Sequence, residues 1–174
     1  KMSGFRLPRW DELPELDLYM DQVVVFLEKI LAPLSEGEEQ VTPAMINNYV
    51  KLRLIPKPEK KRYTRRHIAF LITITLLKQV LTISEIREGI LSHTEQEGSG
   101  QRSYDGFCGE LERAFQQVCG QIVSGKQSGE LPEGTPAELV MVRMAAFSLV
   151  CKLAARKSLE LRKNPNTPDP DADE

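Results

Sequence analysis

Three cysteines and two histidines are few, and neither set has the spacing of a ligand group. Cys108, Cys119 and Cys151 form no CxxC pair and are odd in number, which excludes a complete disulfide framework and leaves small buried hydrophobes in a reducing compartment as the expectation. His67 and His93 fall in separate predicted helices, so no zinc site is expected. There is no GxSxG, no P-loop and no GxGxxG, and Glu97 to Gly100 reads as a connection rather than a phosphate cradle. With these parts missing, no cofactor is expected and the chain is read as non-enzymatic. Long apolar runs are also absent. The longest, Ile68 to Leu77, is ten residues interrupted by Thr73 and Thr75, too short to cross a bilayer. No basic stretch precedes an apolar run with a small-residue cleavage site, so the expected location is the cytoplasm, without a membrane partner. No repeat or heptad array is visible.

What the chain does have is an ordinary share of apolar residues, 41%, and of charged ones, 28%, enough over 174 residues for one or two folded units. Its net charge of -2 hides an asymmetry. Between Lys51 and His67 stand eight Lys or Arg against the single acid Glu59, a local +7 that leaves -9 for the remainder. From Asp11 to Glu39 the balance is reversed, with nine acids opposed only by Lys29. A basic segment this concentrated presents a positive face whatever the total charge, and a polyanion is the natural partner.

Apolar spacing and capping residues place the helices. Leu16, Tyr19, Val23, Phe26, Leu27, Ile30 and Leu34 describe one face of a first helix over 16–34. Thr42 followed by Pro43 starts a second, over 43–51. Thr64 caps 65–81, where the alternating ITIT run is read as buried helix because of its length and cap. Thr82 with Glu85 and Thr135 with Glu138 are capping boxes for 83–95 and 136–161, and Phe107 to Ile122 forms a clean stripe within 105–124. Segments 95–103 and 124–135 read as mobile connections, and 164–174, with three prolines and four acids, as a disordered tail. The fold class expected is all-α, with units at 1–95, 104–161 and the tail 164–174. The last helix is apolar around much of its circumference from Val140 to Leu153, more than one neighbour would cover, which suggests a homodimer.

From Val41 the chain reads VTPAMINNYVKLRLIPKPEKKRYTRRHIAFLITITLLKQVLTISEI. This resembles the DNA-binding part of the MerR-like winged helix-turn-helix proteins. Ile46, Tyr49, Leu54, Ile55, Pro56 and Pro58 match the end of a recognition helix and its turn; Tyr63, Thr64, His67 and Ile68 match the start of the helix after the basic wing. More specifically, the chain looks like a bacterial family known only as a domain of unknown function, over Leu7 to about Gly89. Asn47 and Asn48 replace the usual Arg and Tyr, Arg53 replaces the turn glycine, and Lys61 replaces the wing arginine. The resemblance implies a winged helix-turn-helix in the first half, followed by a helical second half.

The residues lead to the same place without the resemblance. Exposed Asn47 and Asn48 have amides suited to adenine in the major groove. Lys57, Lys60, Lys61, Arg62, Arg65 and Arg66 offer cations to phosphate, which makes binding salt-dependent. Tyr49 and Tyr63 are expected to pack beneath and donate hydroxyls to phosphate, and Thr42 opens the recognition helix. The function expected is that of a DNA-binding transcription regulator acting on duplex DNA, with room for a small-molecule effector in 104–161. The alternative is a helical protein-interaction module whose basic loop meets an acidic partner or the chain's own acidic segment; RNA is weaker, since no stacking aromatics interleave with the cations.

Overall fold

Local signals set where some of the helices begin and distant contacts where others do, and the computed structural model, which describes residues 5–34, 41–94, 99–124 and 137–163, shows six helices among those residues. They are α1 (Met20–Leu31), α2 (Pro43–Lys51), α3 (Arg65–Leu77), α4 (Ile83–Thr94), α5 (Ser99–Ser124) and α6 (Ala137–Lys163), with short 3-10 turns at Trp10–Glu12 and Ala32–Leu34. The all-α expectation holds. The Thr135 and Glu138 capping box, the connection after Ser124 and the tail 164–174 lie outside the described residues.

The first helix starts later than the apolar spacing suggests. Leu18 is held in extended backbone by Tyr63, exchanging hydrogen bonds of 2.9 and 2.8 Å across an antiparallel bridge, and a bridged residue cannot also be helical. Tyr19 becomes the N-cap, its N–H bonded to the Gln22 side chain at 2.9 Å. Leu16 and Tyr19 are therefore exposed, and α1 buries Val23, Leu27 and Leu31 along one face. α3 is nearly all core: from His67 to Leu77 only Phe70 and Thr73 escape full burial. It ends at Leu77 rather than at Leu81, and the Lys152 ammonium of α6 donates to the Gln79 carbonyl just beyond, at 2.9 Å. α4 opens on the expected box, with Thr82 N–H to Glu85 at 2.7 Å and Glu85 N–H to Thr82 Oγ1 at 3.3 Å.

α5 begins at Ser99, earlier than Gly and Ser propensities suggest. Packing supplies what propensity lacks: Gly100 sits against the Trp10 ring, where a Cβ would lie 3.7 Å from it, and Trp10 meets Tyr104 edge-on at 6.4 Å. Tyr104, Phe107, Cys108, Leu111, Ala114, Phe115 and Val118 are buried on its inner face, whereas Ile122, at the end of the same stripe, is exposed. α6 answers with Ala145, Ala146, Leu149 and Val150. Glu110 is buried between the two helices and receives Arg143 at 2.7 and 3.1 Å and Arg113 at 2.5 Å, so its charge is fully paired.

The segment before α1 works as a strap. Leu7 and Leu13 are buried, Phe5 packs on Phe115 at 5.0 Å, and Arg9 pairs with Glu112 at 2.5 Å. Trp10 N–H donates to Asp105 at 2.9 Å, and Tyr104 donates to the Pro8 carbonyl at 2.9 Å. One contiguous cluster of buried side chains thus runs from Leu7 through α1–α4 into α5 and α6.

Candidate nucleic-acid interface

α2 is held from both ends. Thr42 Oγ1 accepts from Met45 N–H at 3.2 Å and Pro43 occupies the first helical position, so the orphan donors at the start are reduced by both devices. At the far end Arg53 N–H bonds the Val50 carbonyl at 3.0 Å and Leu54 N–H bonds the Tyr49 carbonyl at 2.9 Å, the paired bonds of a Schellman stop. That stop needs a left-handed residue, usually glycine; here Arg53 takes φ 56°. Ile46 and Tyr49 face inward, and Thr42, Asn47, Asn48 and Lys51 face solvent.

Six residues after this stop the chain reverses again. Arg62 N–H bonds the Glu59 carbonyl at 2.8 Å, with Lys60 at φ 47° and Lys61 at φ 61° between them. Two consecutive positive φ values across a two-residue turn are the signature of the type I′ hairpin, which ordinarily selects Asn-Gly because any larger side chain is strained there. Placing two lysines in this conformation costs on the order of 1–2 kcal/mol each. Tyr63, next along, is the residue bridged to Leu18, so the turn is anchored to the entry of α1.

Lys51, Arg53, Lys57, Lys60, Lys61 and Arg62 are all exposed. Among the described residues only one ion pair reaches the basic stretch, Asp11 to Arg65 at 3.6 Å. Arg62 lies over the Tyr19 ring at 5.5 Å, its Nη2 3.4 Å from the Tyr19 hydroxyl. Arg66 points elsewhere, over Phe70 at 5.6 Å. The basic stretch is therefore split, with Lys57 to Arg62 at the turn and Arg65 and Arg66 on the first turn of α3. Lys51 and Arg53 join the exposed cations without having been expected as site residues; the left-handed demand at the turn-glycine position is the sign in the sequence that points to Arg53.

Tyr49 and Tyr63 require a correction. Each is only 3% exposed, and burial raises the Tyr63 phenol above its ordinary value, so both belong to the core and do not present hydroxyls to a ligand. That they pack beneath is as expected; what spacing does not reveal is that the neighbouring helices leave almost nothing of either side chain exposed. Tyr63 meets His67 edge-on at 5.6 Å. His67 Nδ1 accepts from Thr64 N–H at 3.0 Å and lies 2.8 Å from Thr64 Oγ1, filling the place that Glu or Gln takes in an ordinary capping box.

A family model described as "Domain of unknown function (DUF1836)" matches residues 8–107, more than half of the chain. The chain belongs to the DUF1836 family. The DUF1836 match takes in most of the strap, α1 to α4 and the first turns of α5, and so contains the whole basic stretch. No curated protein and no solved structure matches the chain. Among the described residues, no three His, Cys, Asp or Glu side chains gather into a group able to hold a metal, and no helix is long and apolar enough to cross a membrane.

A separate cavity of about 110 Å³ lies where α3, α4, α5 and α6 meet Trp10. It draws as much on α3 and α4 as on the segment 104–161, where the sequence leaves room for an effector.

Proposed function

We propose that this chain is a non-enzymatic DNA-binding regulator, with α1 and α2 acting as a MerR-like helix-turn-helix and the Glu59–Arg62 turn as its wing. The observation that carries the reading is the pair of lysines at the tip of the type I′ turn, strained and uncovered. Strain kept at a position that glycine would relieve suggests that the side chains are wanted there. The Asn47 and Asn48 amides, exposed on α2 shortly before the turn, are suited to base edges, and Lys51, Arg53, Lys57 and Arg62 to phosphate. The chain's own acidic segment supports masking only weakly, since among the described residues a single pair, Asp11 to Arg65, joins the two.

Titration of the full chain against random duplex DNA at two salt concentrations tests this. The log–log slope is expected to be steep, and replacing Lys57, Lys60, Lys61 and Arg62 by Ala should flatten it by about 0.9 for each phosphate that is no longer neutralised. An unchanged slope removes the wing. Asn47→Ala and Asn48→Ala should instead weaken binding by about 1–3 kcal/mol on particular sequences only. Should duplex DNA fail to bind while an acidic polypeptide binds through the same lysines, the surface is a protein-interaction site.

A further inference from the structure

The cavity between α3, α4, α5, α6 and Trp10 is walled by apolar side chains, among them Trp10, Phe70, Ile86, Tyr104, Phe107 and Met141. Its polar members are largely committed elsewhere. Thr73 donates to the Ala69 carbonyl at 3.0 Å, and Tyr104 donates to the Pro8 carbonyl at 2.9 Å. Ser103, which is exposed, and Arg66 are the exceptions, and of the two Arg66 carries the charge. It lines the same space, is exposed, rests on the Phe70 ring and has no carboxylate partner among the described residues. An engineered apolar cavity of about 150 Å³ takes a benzene molecule, so a space of this size takes a body on the order of six carbon atoms. One wall is adaptable: a Cβ at Gly89 would lie 2.5 Å from Met141 Cε, so the absence of a side chain at Gly89 lets the unbranched Met141 lie across α4.

We propose that this cavity binds a small monocarboxylic acid, its branched or aromatic body between α3 and α5 and its carboxylate on Arg66. An apolar, half-open pocket disfavours polar metabolites, while one guanidinium at its edge without a carboxylate partner among the described residues selects an anion, with bidentate geometry favouring a carboxylate. The proposal is independent of the DNA reading, because its readout is the free chain.

Trp10 is the only tryptophan in the sequence and lines the cavity, so its emission reports occupancy directly. The full chain is titrated with 4-methylpentanoate and phenylacetate, and in parallel with the neutral amide of each. Both acids should shift Trp10 emission, raise the melting temperature and bind roughly tenfold or more tightly than their amides, as a charge-assisted bond implies. Arg66→Gln should bring acid and amide to equal, weak affinity. Thr73→Leu, which fills the cavity, should abolish binding of both; Met141→Phe, on a half-exposed wall, does the same if Thr73→Leu fails to fold by circular dichroism. Equal binding of acid and amide by the native chain overturns the proposal, as does an emission that no probe moves at millimolar concentration.

Discussion

At the scale of single residues, the positions that depart from the expected side chain are the informative ones. Arg53 stands at a left-handed helix stop, so Arg53→Gly should raise stability by about 0.5–1 kcal/mol, measurable by urea unfolding. Lys60→Asn with Lys61→Gly gives the turn its preferred pair. On the DNA reading this double variant becomes more stable while its salt slope falls by about 1.8, and a rise in both stability and affinity would deny the lysines a role. His67 carries a pH dependence. Burial is the main cause that holds its imidazole below the ordinary 6.5, so the unfolded chain takes up a proton first as pH falls. Stability should then be complete above about pH 6.5 and decline as pH drops through that value, since unfolding binds the proton. His67→Gln keeps an acceptor for Thr64 N–H and should flatten unfolding free energies compared between about pH 8 and pH 5. Cys108 is buried and its thiol is pushed up to about 11 by desolvation, so it should resist maleimide until the chain unfolds.

At the scale of elements, what is legible in the sequence is what is local. The caps at Thr42 and Thr82 and the α5 stripe from Phe107 to Val118 each depend on residues three or four apart, and the structure has them where spacing places them, with Ile122, at the stripe's far end, left exposed. Thr42→Ala should accordingly cost about 1 kcal/mol, read as a lower midpoint of the single melting transition that the shared core implies. What escapes is decided at long range. The start of α1 is set by Tyr63, forty-odd residues on; the start of α5 is set by Trp10, which makes helix from a Gly-Ser stretch. The candidate site divides in the same way. The charge count, the asparagines and the packing of Tyr49 and Tyr63 beneath the surface are visible in the residues, whereas the left-handed lysines, the near-complete enclosure of the two tyrosines and the turning aside of Arg66 come only from the fold. The cavity is built from five elements and has no contiguous motif to find.

For the whole molecule, the shared core bears on where the chain can be divided. Side chains of 1–95 and of 104–161 are buried in the same cluster, and α3 in particular packs on α5 and α6. A fragment ending at Glu95 should therefore fail to fold, giving a flat near-ultraviolet spectrum; a sharp melting transition would show that a separable unit exists. The apolar excess on α6 is only partly absorbed within the chain, with Met144 at 41% exposure, so a homodimer remains our proposal, and Met144→Glu should shift the full chain to monomer in sedimentation. The strap has a further consequence, in time rather than in space. Arg9 meets residues 96 and 103 positions further along the chain. At synthesis rates of roughly 5–20 residues per second, the ribosome needs on the order of 5–20 s to make the partners that hold Arg9. During that interval the basic turn and its helices have already emerged, with a core they cannot yet close. The newborn chain thus passes through a state that is nearly neutral in total charge yet shows a concentrated basic turn beside uncovered apolar side chains.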